Sequence, residues 1–148
     1  MSAASVSGGF EGSNVVDMVE TAPGVFSCKL ITPPMPTPAS FWYGTPGNHY
    51  HNWFMLKVAD AAGQAVSVTI TNADWGGSGD GMWGRAFGKA VYTEAPDPSA
   101  LSADISWQVL TDAGYSNPDF SFNLTPTTDL AWVALHYPAL PTHTANWT

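Results

Sequence analysis

Cations are scarce in this chain. Lys29, Lys57, Arg85 and Lys89 stand against 12 acids in 148 residues, a net charge of −8. Long-range electrostatics therefore disfavours phosphate backbones and anionic lipid surfaces as partners, and no nucleic-acid role is expected. Cysteine is rarer still. Cys28 stands alone, which rules out an internal disulfide framework, and its place on an apolar stretch reads as a small buried side chain. Helical periodicity is also missing, because 12 prolines and 14 glycines interrupt every stretch long enough for three turns. No run of 18 apolar residues is present to span a bilayer. The opening Met1-Ser2-Ala3-Ala4 has neither the basic nor the apolar part of an export signal, so the cytoplasm is the expected compartment. On that reading the Asn-x-Thr sequons at Asn123 and Asn146 are chance matches.

What remains is apolar matter in short alternating runs. Hydrophobic residues make up 45% of the chain and aromatics 13%, while charged residues supply only 11%, well under the roughly 25% of an ordinary domain. A surface so poor in charge is commonly covered by a partner or an adjoining domain. The runs Val15 to Val19, Val25 to Ile31, Tyr50 to Val58, Ala65 to Thr71, Arg85 to Tyr92, Asp104 to Leu110, Asp119 to Leu124 and Leu130 to His136 read as strands. In the third, Phe54, Leu56 and Val58 share one face and Trp53 and Met55 the other, so the strand is interior to a sheet. The third and fourth read as a hairpin across Ala61-Ala62-Gly63. In the fourth, Val66, Val68 and Ile70 point inward and Ser67, Thr69 and Thr71 toward water. The spacing predicts one all-β domain over residues 1–148, with 1–9 as a flexible tail. Its expected architecture is a two-sheet antiparallel sandwich of eight strands, jelly-roll-like in its connections.

Several residues could carry chemistry or contact. His49 and His51 would project to the same side of a strand and could offer two imidazoles to zinc, with His136 or Asp60 as a guess for a third ligand. Equally, they could line an interface or a turn. Asn72, Asp74 and Asp80, in a glycine-rich loop, could place oxygens around calcium, although their spacing does not fit the EF-hand and a plain loop explains them as well. Trp42, Tyr43, Trp75, Trp83 and Trp147 lie in loops or near an end. They can plug the sandwich, anchor a protein interface or form a platform for sugar rings. His136 and Tyr137 join them as interface candidates. No Gly-x-Ser-x-Gly elbow is present. No catalytic residue and no cofactor is expected.

Four segments fall in a familiar order: Phe10-Glu11-Gly12-Ser13-Asn14-Val15-Val16, His51-Asn52-Trp53-Phe54, Val68-Thr69-Ile70-Thr71-Asn72 and Trp132-Val133-Ala134-Leu135-His136-Tyr137-Pro138. Together they resemble the N-terminal β-sandwich domain that precedes the catalytic domain in cytosolic-type zinc carboxypeptidases of the M14 peptidase family. In that family a His-x-x-Glu motif supplies zinc ligands. Here His49, His51, His136 and His143 are followed three positions later by Asn52, Phe54, Ala139 and Asn146, so no zinc ligand carries over. The catalytic domain would begin where this sequence stops, at Thr148. The resemblance implies a non-catalytic, protein-binding role: a scaffold against an M14-type catalytic domain, or a subunit of a larger assembly. A carbohydrate-binding module using Trp and Tyr platforms is the alternative.

Overall fold

A computed structural model describes residues 3–10, 13–31, 53–73, 89–98 and 106–135. These residues form ten strands in two five-stranded sheets. Sheet A holds β1 (Ser5–Ser7), β4 (Met55–Ala59), β10 (Leu130–Ala134), β6 (Ala90–Thr93) and β7 (Gln108–Leu110), side by side in that order. Sheet B holds β2 (Val15–Ala22), β3 (Val25–Leu30), β5 (Val66–Ile70), β9 (Asp119–Leu124) and β8 (Ala113–Ser116). The inner faces share one core. Leu56, Val58, Ala131 and Val133 from sheet A meet Phe26, Val68, Ile70, Phe120 and Phe122 from sheet B. Phe54 is fully buried between the layers, with its ring centroid 5.8 Å from Phe120 and 6.3 Å from Phe122. The all-β sandwich expected from the alternation is the fold observed.

The details depart from expectation in four places. Val6 pairs with Val58 and is buried with Ala4, so Ser5–Ser7 is a strand within the stretch expected to be a flexible tail. β8 is likewise additional, since Ala113-Gly114-Tyr115-Ser116 lacks the apolar alternation that marks a strand. The third difference is the hairpin. β4 pairs with β1 and β10, whereas β5 pairs with β3 and β9, so the segment between them crosses from one sheet to the other. A hairpin would set Leu56 and Val58 beside Val66 and Val68 in one layer. The crossing sets them face to face across the core, and alternation alone fits both arrangements. Finally, β3 and β5 run parallel, which makes sheet B mixed.

The crossing is held by main-chain hydrogen bonds to the return passage between β9 and β10. Asp60 N–H donates to the Asp129 carbonyl at 2.8 Å, and Gly63 N–H to the Pro126 carbonyl at 2.8 Å. Both residues are exposed, so these bonds fix the path of the crossing against the neighbouring passage. Between β2 and β3 the turn is Pro23-Gly24, with Gly24 at φ 74°, the left-handed conformation a type II turn requires at its third residue. Among the described residues, no helix is long and apolar enough to cross a membrane.

Candidate functional site

The two outer faces of the sandwich differ in kind. On sheet B the register lines up Val19, Ser27, Thr69, Ser121 and Gly114 across all five strands. The Thr69 and Ser121 hydroxyls lie 3.0 Å apart in a cross-strand hydrogen bond. That row is small and mostly polar, as a solvated sheet face should be. Sheet A presents instead the row Met55, Ala134, Val91 and Val109, and next to it Ser7, Lys57, Trp132 and Thr93.

Around the first row a second apolar cluster forms, separate from the core. Met55, Val91 and Ala134 are buried beneath Phe10, Trp53, Trp107 and Trp132, which are themselves only partly buried. Phe10 meets the Trp132 ring edge-on, with centroids 5.2 Å apart and planes at 89°, an arrangement favoured by the ring quadrupoles. Lys57 Nζ sits 5.8 Å from the centre of the Trp132 ring, within cation–π range. The Trp132 indole N–H is buried and has no hydrogen-bond partner among the described residues. Val109, at the sheet edge, is 50% exposed. Lys57 is the only ionisable side chain in these two rows of an acidic protein.

The supports of this face are built by residues the sequence singles out. Ser13 N–H donates to the Phe10 carbonyl at 3.1 Å, which ties Phe10 to the start of β2. The Ser13 carbonyl accepts from Met55 N–H at 2.9 Å, and Asn14 Nδ2 donates to the Trp53 carbonyl at 3.1 Å. Asn14 itself takes φ 57°, a left-handed conformation that Asn tolerates better than most residues. Ser13 and Asn14 thus pin the start of β4. At the far end of β5, the Asn72 carboxamide binds both main-chain groups of Leu30.

Most residues expected to carry a site, namely Trp42, Tyr43, His49, His51, Asp74, Trp75, Asp80, Trp83, His136, Tyr137 and Trp147, lie outside the described residues. Asn72 is described, and both ends of its carboxamide engage Leu30. Asp60 is exposed in the sheet-crossing turn at φ 55°. Among the described residues no group of three potential metal ligands comes together. Cys28 is buried, and burial pushes its thiol up to about 12, so it is an inert core side chain as expected. The contact aromatics that sequence reasoning passed over are Phe10, Trp53, Trp107 and Trp132. Their signal was present: Trp53 and Met55 alternate against Phe54, Leu56 and Val58, so apolar bulk on both faces of β4 already implied an outer apolar surface.

Sheet A of this two-layer β domain thus carries an apolar outer cluster in addition to the shared core. Residues 6–136 match the family of the cytosolic carboxypeptidase N-terminal domain, and the chain belongs to that family. Among curated proteins no match is found. Solved structures give the same fold. The metallo-carboxypeptidase of Burkholderia cenocepacia superposes with a TM-score of 0.64 at 16% identity, over 97% of this chain and 31% of that one. A metallo-carboxypeptidase from Pseudomonas aeruginosa gives 0.64 at 16% identity, over 96% of this chain and 32% of the other. The chain therefore spans about a third of the length of these relatives.

Proposed function

We propose that this chain is a non-catalytic accessory module of a zinc carboxypeptidase, and that it works by binding protein through the outer face of sheet A. The M14-type catalytic domain is the partner, joined to the module as an interdomain scaffold or assembled with it as a subunit. The observation that carries this reading is the contrast between the two outer faces. The core is closed without Trp107 and Trp132, yet these rings gather on one layer with Phe10 and with Trp53, which also packs against the core. Partly exposed aromatics grouped with aliphatic residues, with little charge among them, are the composition of interface centres. A sugar platform fits Trp132 poorly, because Lys57 lies over its ring and Phe10 meets it edge-on.

The experiment has two arms. The purified chain, incubated with zinc and peptides ending in Glu or Lys, releases no C-terminal residue. The same chain, titrated by calorimetry with a purified M14 zinc-peptidase domain, binds it. Zinc-dependent release by the chain alone contradicts the non-catalytic reading, and failure to bind contradicts the partner.

A further inference from the structure

A second site lies at the end of sheet A, bordering the second row at Thr93. Tyr92 and Glu94 from β6 and its exit, Ser106 and Gln108 from β7 and its entry, and Thr127 from the β9–β10 passage line an open cleft of about 490 Å³. Its walls come from three separate stretches of chain, and hydrogen bonds fix them without a ligand. The Tyr92 hydroxyl donates to Gln108 Oε1 at 3.0 Å. Thr127 N–H donates to Glu94 Oε1 at 3.0 Å, and the Thr127 hydroxyl donates to Glu94 Oε2. Ala95 N–H donates to the Thr93 hydroxyl at 3.2 Å.

These bonds decide which polar capacity is left. Tyr92 has given its proton to Gln108 and keeps an oxygen that can only accept. Gln108 keeps the two N–H donors of its amide. Glu94, already bonded by Thr127, keeps acceptor lone pairs, and Ser106 can do either. The cleft therefore offers both donors and acceptors beside a phenol ring. An anion is disfavoured by Glu94 and by the net charge of −8. A free cation finds one carboxylate whose oxygens Thr127 already engages by hydrogen bonds, and among the described residues no second acid lines the cleft.

We propose that this cleft binds a neutral saccharide. Ring hydroxyls donate to Glu94 and accept from the Gln108 amide, while Ser106 and the Tyr92 oxygen bond a neighbouring hydroxyl. The site is independent of the apolar face, so either can stand without the other.

The test is a two-dimensional NMR titration of the whole chain with glucose, maltotriose, cellotriose, xylotriose and chitotriose. At least one sugar gives saturable shifts that map to Tyr92–Ala95, Ser106–Gln108 and Thr127. Gln108→Ala and Ser106→Ala, both at exposed positions, each weaken that binding by about tenfold, as loss of a specific hydrogen bond does. Three results overturn the proposal: no saturable shift with any of the five sugars, shifts that map elsewhere, or full affinity in both variants. Lysine methyl ester serves as the cationic control. Shifts at the cleft with this ester and none with sugars would make it a cation site instead, and the proposal would fall.

Discussion

Asn72 grips Leu30 by both of its main-chain polar groups. Leu30 N–H donates to Asn72 Oδ1 at 2.7 Å, and Asn72 Nδ2 donates to the Leu30 carbonyl at 3.0 Å. The side chain thereby continues the β3–β5 ladder one step past the end of β5, where the strand itself has stopped. Leu30 is 1% exposed, so its main chain has little access to replacement water. Asn72→Ala removes both bonds and leaves two half-buried groups unpaired, at a cost of about 1–3 kcal/mol. Asn72→Asp keeps the acceptor and sets a negative charge against a carbonyl, so it destabilises as well. Urea unfolding of the three proteins, with unchanged m values, checks the order: wild type is most stable and both variants fall below it.

Glu94 ties sheet A to the β9–β10 passage, and its carboxylate gives that tie a pH dependence. Burial acts to raise its pKa, but hydrogen bonds from Thr127 and Thr128 outweigh it and hold the group below its ordinary 4.5. A carboxylate with a lowered folded-state pKa contributes stability that is present above the unfolded value. That contribution is lost as pH falls through the folded one. The effect is small because Glu94 is only half-buried and solvent screens its carboxylate. The difference in Tm between wild type and Glu94→Gln is therefore positive at neutral pH and shrinks below about pH 4.5. A difference that stays constant down to acid pH would show that the charge on Glu94 has no part in the tie.

Two glycines with the same backbone sign should respond differently to a methyl group. Gly24 at φ 74° would place a Cβ 2.7 Å from the Ala65 carbonyl oxygen, while Gly63 at φ 70° has nothing within 4 Å. Gly63→Ala bears only the left-handed conformation, about 1–2 kcal/mol. Gly24→Ala bears that and a main-chain collision, and must displace the β2–β3 turn from the start of β5. Thermal unfolding should place Gly24→Ala below Gly63→Ala by several degrees. Equal losses would mean that the turn yields freely.

The fold class was legible because it rests on period-two alternation, which survives without any knowledge of partners. Val66, Val68 and Ile70 against Ser67 and Thr69 fixed the inward side of β5, and the structure has that arrangement. Strand partners were not legible. The distance from β4 to β5 suits a hairpin and a sheet crossing equally, and what decides is the availability of β10 and β3 as better neighbours, a long-range fact. β1 and β8 escaped because a three-residue edge strand and a stretch containing Gly114 carry too little alternation to register. For the apolar face, loop tryptophans drew the attention, yet strand residues Trp132 and Met55 build it. Alternation shows that a strand has two faces. It does not say that the face away from the core is apolar as well.

Matched substitutions on the two faces test the central claim most directly. Val109 on β7 and Val19 on β2 are 50% and 54% exposed, the same residue type at a sheet edge on opposite layers. Val109→Lys and Val19→Lys are to be titrated calorimetrically against the M14 zinc-peptidase domain, with Tm recorded for each variant. Val109→Lys should weaken binding at least about tenfold, roughly 1.4 kcal/mol, while Val19→Lys binds as wild type does. Undiminished binding by Val109→Lys, with loss in Val19→Lys, would place the contact on sheet B and contradict the account.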